Sequence, residues 1–331
     1  MMKFNSCLIN FVIFFVIFTM TFVSQCYGDL KVGYYVRKCG KYNVEEIIYD
    51  VVKGKATKDP NTVGHLIRLQ FHDCIVKGCD ASVLIEGKKT EKTASPNLSL
   101  GGFEVIDTAK DILESVCPGV VSCADILIIA ARSAVSLSGG KWYYAETGRR
   151  DGRVSSQSEA LANLPSVSMP VQQAVHLFAS RGLTKEDFVV LLGGHTVGNV
   201  HCDKFQDRLY NFHNSGKPDS RMNAALLNSL KNTCPRKNII NKTTFLDQTP
   251  NSYYKMDNGY YKEIVSNRGI LEIDVNIANS PLTNSIVKKL AYNDDGYFLD
   301  KFGQAMIKMG RIGVLTGKQG EIRRSCRAIN H

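Results

Sequence analysis

The sequence is short of acid, tryptophan and proline, and it holds just one long uncharged apolar stretch. Against 41 Lys and Arg stand 31 Asp and Glu, so the formal net charge is +10. Nine Pro and 27 Gly in 331 residues exclude a collagen-like chain or a proline-rich linker. No internal repeat, low-complexity tract or long linker divides the chain. No long Lys/Arg run and no basic patch interleaved with aromatics is present, which disfavours nucleic acid as partner. No His-Glu-x-x-His occurs, which disfavours a zinc metalloprotease. Beyond residue 28 no segment is long and apolar enough to span a bilayer. What is present, 44% hydrophobic and 22% charged residues, is the make-up of a folded globular protein. The length suffices for a sizeable core.

The apolar stretch lies at the N-terminus. Lys3 precedes a charge-free run over residues 4–28, centred on residues 11–18 (FVIFFVIF), with small residues at Cys26 and Gly28. This is the pattern of a secretory signal cut near Gly28–Asp29. The alternative, an uncleaved anchor, stands at the short limit for a span. Cleavage removes Lys3 and no acid, so the charge falls from +10 to +9. That charge suits an anionic polysaccharide matrix or a membrane surface. Cleavage also removes Cys7 and Cys26, so eight of the 10 cysteines remain. An even number in a secreted chain reads as four disulfides, with roughly a hundred pairings open.

Helical periodicity dominates residues 29–331. Residues 60–74 place Val63, Leu66, Ile67 and Phe71 at helical spacing, and 103–117 do so with Phe103, Ile106, Ile112, Leu113 and Val116. Residues 123–135 are apolar almost all round, as in a buried helix. Further helices are expected over 171–180, 222–234 and 297–309. Alternating strand patterns are few, so the expectation is a single, mostly α domain. N-glycosylation sequons begin at Asn97 and Asn241, and the polar surroundings favour Asn241.

Two histidines carry the chemical signal. Arg68 and His72 are i and i+4, so they project from one helix face beside Leu69 and Phe71. A buried arginine there is expensive unless something anionic visits it; a capping arginine and a core histidine are the plain alternative. Further on, Thr184 and Asp187 form a capping-box variant, after which Phe188, Leu191, Leu192 and His195 fall at i, i+3, i+4 and i+7. His195 thus lies on an apolar face, as a core histidine or a buried metal ligand. Gly193 and Gly194 would let something flat or bulky approach the backbone there. Between the histidines, Asp73, Asp80 and Ser82 form an oxygen-rich loop suited to calcium. Cys74 and Cys79 could close that loop; with no second pair at zinc spacing, a zinc site is weak.

At these motifs the chain resembles the secretory plant haem peroxidases, class III or horseradish-peroxidase type, over residues 29–331. Residues 68–74 (RLQFHDC) and 192–198 (LGGHTVG) look like the family's distal and proximal haem signatures. Residues 121–127 (VSCADIL), 148–152 (GRRDG), 207–212 (DRLYNF) and 324–330 also fit. The resemblance implies the haem peroxidase fold, with one haem b between a distal and a proximal helix and two calcium ions. It implies a monomer of one domain that reduces hydrogen peroxide and oxidises phenolic donors in one-electron steps at the cell wall.

Residue by residue, the resemblance makes His195 the axial iron ligand and Asp274 the carboxylate bonded to it. It makes His72 the proton acceptor, Arg68 the transition-state stabiliser, and Asn97 the residue that orients His72, supported by Glu91. Phe71 would wall the distal pocket, and Pro165 would line the donor entrance. The first calcium would take Asp73, Asp80 and Ser82 with the Val76 and Gly78 carbonyls. The second would take Thr196, Asp247, Thr249 and Asp257, with Ser252 a substitute for Thr249. The implied disulfides are Cys39–Cys117, Cys74–Cys79, Cys123–Cys326 and Cys202–Cys234. The chain departs from the family pattern at Gly40, Ile75, Lys77 and Val167, none of them a catalytic position.

Overall fold

The computed structural model describes residues 30–237 and 239–331. The leader expected over residues 1–28 lies outside them. Among the described residues there are thirteen α-helices and four short strands. The first four helices are α1 (Val44–Lys58), α2 (Thr62–Val76), α3 (Phe103–Val116) and α4 (Cys123–Leu137). Then come α5 (Gln157–Asn163), α6 (Val171–Ser180), α7 (Lys185–Leu192), α8 (Gln206–Tyr210) and α9 (Ala224–Thr233). The last are α10 (Gly259–Val265), α11 (Glu272–Asn279), α12 (Asn284–Tyr292) and α13 (Asp295–Met309). Strand β1 (Lys31–Val32) pairs antiparallel with β2 (Glu146–Thr147), and β3 (Asn199–His201) with β4 (Thr243–Phe245).

Helix α4 is the hub of the first half, and α1, α2 and α3 pack around it. Every residue from Cys123 to Val135 is buried, as its all-round apolar pattern predicts. Ser122 caps it by accepting from Asp125 N. Asp125, buried in the first turn, accepts from Tyr35 Oη (2.7 Å), Gly148 N (2.7 Å) and Arg149 Nη1 (2.9 Å). Asp151 accepts from Ala124 N at 2.8 Å and Arg323 N at 2.9 Å. The motifs at 121–127 and 148–152 therefore meet here as one buried polar joint. A buried charge so paired is costly to leave alone.

In the second half, α13 lies along α7, and α10 packs against α11 and α12. All four disulfides that the resemblance implies are formed: Cys39–Cys117, Cys74–Cys79, Cys123–Cys326 and Cys202–Cys234. The Cys123–Cys326 bridge, 203 residues apart in sequence, ties the hub to the C-terminal segment.

Candidate active site

Helix α2 carries one side of the site. Asn61, His65, Arg68 and His72 recur at helical spacing, and Gly64, His65, Arg68 and Phe71 are only partly covered in an otherwise buried helix. The other side is the turn after α7. Its Thr184–Asp187 capping box forms as expected. The α-helix nonetheless stops at Leu192 and tightens into a 3₁₀ turn over Gly193–Thr196 that holds His195. Leu191, Leu192, Gly194 and His195 are likewise partly covered. The two sides are neighbours, since a Cβ on Gly194 would lie 3.5 Å from Ile67 Cγ2 of α2. We take the space between these two partly exposed stripes, on adjacent and otherwise buried elements, as the opening of the candidate site.

The two glycines divide their work differently from expectation. A side chain at Gly193 would collide with Phe298 and with the Tyr261 hydroxyl, each 2.5 Å from its Cβ position. Gly193 therefore serves the packing of the turn onto α10 and α13. Gly194 alone faces α2.

On the distal side, His72 Nδ1 lies 2.6 Å from Asn97 Oδ1. Asn97 is itself fixed, because its Nδ2 donates to Glu91 O at 2.7 Å. An oxygen facing Nδ1 places the ring proton there and leaves Nε2 as the acceptor. Arg68 Nε donates to that Nε2 at 3.2 Å. Burial, and then the charge of Arg68, push the His72 pKa down to about 3. Arg68 is anchored through Nη1 to Ser99 O (3.0 Å) and Nη2 to Pro96 O (2.9 Å), and burial lowers it to about 10. At neutral pH the pair is a free base beside a fixed cation. Phe71 stacks on Phe178, with ring centroids 6.0 Å apart. The burial of Asn97 sets its sequon apart from that at exposed Asn241.

On the proximal side, His195 Nδ1 donates to Asp274 Oδ1 at 2.9 Å. Tyr260 Oη donates to the same oxygen at 2.9 Å, and Leu271 N donates to Oδ2 at 3.1 Å. Nothing among the described residues bonds His195 Nε2, which is left free on the side of the opening. Tyr260 escapes sequence reasoning, because a tyrosine at that distance in the chain carries no local pattern.

The oxygen-rich loop closes on itself. Asp73 accepts from Ala81 N (2.9 Å) and Val83 N (3.3 Å), and Asp80 accepts from Ser82 N (3.0 Å). Buried Ser82 Oγ and both carboxylate oxygens of Glu91 meet no partner of good hydrogen-bond geometry. Burial, with the charge of Asp80, raises Glu91 to about 7. Asp73 is raised too, by burial and by Asp80 and Glu91. The expected carbonyl ligands already accept one bond each, Val76 O from Arg181 Nη2 (3.0 Å) and Gly78 O from Asp80 N (2.8 Å). Arg181 also donates to Asn163 Oδ1 at 2.5 Å, tying the segment that leads to partly covered Pro165 onto the end of α2.

A second group of oxygens surrounds Thr196. Its Oγ1 lies 3.4 Å from Asp247 Oδ2 and 3.4 Å from Asp257 Oδ1. A Cβ on Gly259 would meet Asp257 Oδ1, Asp247 Oδ2 and Thr249 Oγ1 at 2.8–2.9 Å, so these oxygens converge on one point. Ser252 Oγ instead donates to Asp257 Oδ2 at 2.5 Å. Burial above all raises Asp247 to about 6. Among the described residues no three His, Cys, Asp or Glu side chains are grouped as a metal site. Both oxygen groups would depend on hydroxyls and carbonyls as well, which are calcium donors.

The fold is thus mostly helical, with two oriented histidines on neighbouring elements. The comparisons agree: the family model described as Peroxidase matches residues 48–293. Peroxidase 57 of Arabidopsis thaliana is 43% identical over 99% of this chain and 98% of its own length. Peroxidase 60 of Arabidopsis thaliana is 46% identical over 93% of this chain and 92% of its own length. Peroxidase 5 of Vitis vinifera is 43% identical over 92% of each. The chain belongs to the peroxidase family, in its class III plant branch, and is a haem enzyme that consumes hydrogen peroxide.

Proposed function

We propose that the opening between α2 and the 193–196 turn holds haem b on His195 Nε2, and that Arg68, His72 and Asn97 carry out peroxide cleavage above it. The observation that carries this reading is the opposed pair of oriented histidines. His195 is held by Asp274 at 2.9 Å and His72 by Asn97 at 2.6 Å, each with Nε2 turned away from its anchor. The free Nε2 of His195 and the partly exposed stripes on both walls fit a flat group bound on edge. Bound haem supplies the storage of two oxidising equivalents, which protein side chains lack.

His72 Nε2 takes a proton from one peroxide oxygen and returns it to the other, which departs as water. Arg68 stabilises the charge that develops as the O–O bond breaks. Asn97 keeps His72 in the tautomer that can accept that proton. Asp274 and Tyr260 orient His195 and raise its basicity as a ligand. Phe71 screens the distal side. Small phenolic donors give up one electron at a time near Pro165.

The same reading assigns calcium to both oxygen groups. The orphaned oxygens of Ser82 and Glu91 support the first, and the convergence on Gly259 supports the second. Residues 1–28 are assigned as a cleaved signal and residues 29–331 as the mature domain. The signal-like leader and four disulfides support secretion to the cell wall, where the +9 charge suits anionic polysaccharide.

The test is His72→Ala in purified holoenzyme. Haem uptake should persist while the second-order rate with peroxide falls by about 10²–10⁴. An unchanged rate would overturn the assignment of His72.

A further inference from the structure

We propose that the turn over residues 33–41, with Lys31 of β1 before it, is a docking surface for an acidic polysaccharide built of uronate sugars. The proposal rests on the reading above that this cationic chain meets anionic polysaccharide, and it says where. Lys31, Arg37, Lys38 and Lys41 fall within residues 31–41, and no Asp or Glu occurs from residue 30 to residue 44. All four are exposed. Other exposed cations sit on carboxylates, as Lys55 does on Glu104 and Lys141 on Asp300. Among the described residues none of these four has a carboxylate partner. Their charge is left for something outside the chain.

The turn is pinned from beneath. Tyr35 and Cys39 are buried; Tyr35 Oη donates to Asp125 Oδ2 at 2.7 Å and Cys39 is bridged to Cys117. Backbone bonds fold the chain between and after these anchors: Val36 N to Gly33 O, Lys38 N to Tyr35 O and Tyr42 N to Cys39 O, each 3.0 Å. Val36, Arg37, Lys38, Gly40 and Lys41 are thereby held on the outer side. Two ammonium groups are held as well. Lys38 Nζ lies 3.0 Å from the centre of the Tyr34 ring, and Lys41 Nζ lies 5.5 Å from that of Tyr42. Cations already ordered lose less freedom when a ligand arrives.

The backbone is least comfortable where the charge is densest. Arg37 has φ 65°, in the left-handed region that side chains other than Asn and Asp seldom adopt. Its guanidinium makes no hydrogen bond or ion pair among the described residues. Strain with no contact inside the fold to offset it points to a use outside the fold. Gly40, one of the positions where the chain departs from the family pattern, has φ 60°. The departure therefore shapes this same turn.

The arrangement favours a polyuronate. Carboxylates recur along such a chain, as the cations recur along the turn, so several weak pairs form together. The exposed edge of Tyr42 offers an apolar flat for a sugar ring. Stacked nucleic-acid bases would need a free aromatic face, and Lys38 already covers one face of Tyr34.

The experiment measures binding of the holoenzyme to polygalacturonate by calorimetry at low ionic strength. The patch variant is Arg37→Gln, Lys38→Gln, Lys41→Gln. The control is Lys217→Gln, Lys288→Gln, Lys318→Gln, which removes the same charge from exposed lysines elsewhere. The patch variant should bind at least about tenfold more weakly and the control within about twofold of the parent. Haem absorbance and guaiacol oxidation should be unchanged in both, since none of these residues lines the opening beside His195. Arg37→Asn should bind about threefold more weakly yet unfold about 1–3 °C higher, because Asn tolerates the left-handed backbone. Equal weakening in patch variant and control would make net charge the cause and overturn this surface, while leaving the polysaccharide reading in place. A parent with no affinity for polygalacturonate would overturn both. Tighter patch-dependent binding to phosphatidylserine vesicles than to polygalacturonate would reassign the surface to membranes and overturn the proposal. Parent affinity in Arg37→Asn, with a lower unfolding midpoint, would show that Arg37 serves the fold and would overturn it too.

Discussion

Asn97 decides which nitrogen of His72 faces the opening, and that single choice makes His72 a base. Asn97→Val removes the acceptor for the Nδ1 proton, so the tautomer and ring orientation are no longer held. The rate with peroxide should fall about 10- to 100-fold, read by stopped-flow absorbance, while haem content stays unchanged. The pH profile has a definite sign. In the proposed role the unprotonated ring is the active form and its pKa is lowered to about 3, so the rate should hold steady from pH 7 downward and be lost only as pH falls through about 3. A half-loss near the ordinary histidine value of about 6.5 would mean that His72 is not desolvated as described. At this scale the sequence is legible where helical spacing groups residues, as with Arg68 and His72. It is silent on Ser99, Tyr260 and Arg181, whose roles come from contacts across long chain separations.

Helix α4 shows how an element becomes the frame for chemistry it does not perform. Its all-round apolar pattern is legible in the sequence, and so is its burial. The polar joint at its first turn is not, because Asp125 meets Arg149 only after the chain folds back. Asp125→Ala leaves the buried Arg149 guanidinium without its carboxylate and should cost about 3–5 kcal/mol, measured by denaturant unfolding. A cost below about 1 kcal/mol would place that charge in contact with water. Helix α7 shows the reverse case. The apolar repeat runs on to His195, yet the α-helix stops at Leu192, since Gly193 must pack against Phe298 and Tyr261. Periodicity groups His195 with Leu191 and Leu192, which are partly covered as it is, and misses the tighter turn that carries it.

Across the whole molecule, disulfides and buried acids act together. The Cys123–Cys326 bridge closes a separation of 203 residues, for which the chain-entropy model gives about 5 kcal/mol. The pairing is not legible from cysteine count alone; here it came with the family resemblance. Both oxygen groups bury carboxyls whose pKa values are raised, so bound cations would compensate their charge. Chelation at neutral pH should lower the thermal midpoint by several degrees and restoring calcium should recover it, followed by calorimetry. Indifference to chelation would contradict the calcium assignment.

The central claim is that His195 and His72 face each other across a bound haem that reacts with peroxide. The most direct measurement is the absorption spectrum of the purified holoenzyme before and after one equivalent of hydrogen peroxide, repeated after adding a phenol. The account predicts a strong near-ultraviolet haem band that shifts with peroxide and returns with the phenol, and that is lost in His195→Ala. A band that ignores peroxide, or that survives unchanged in His195→Ala, would contradict it.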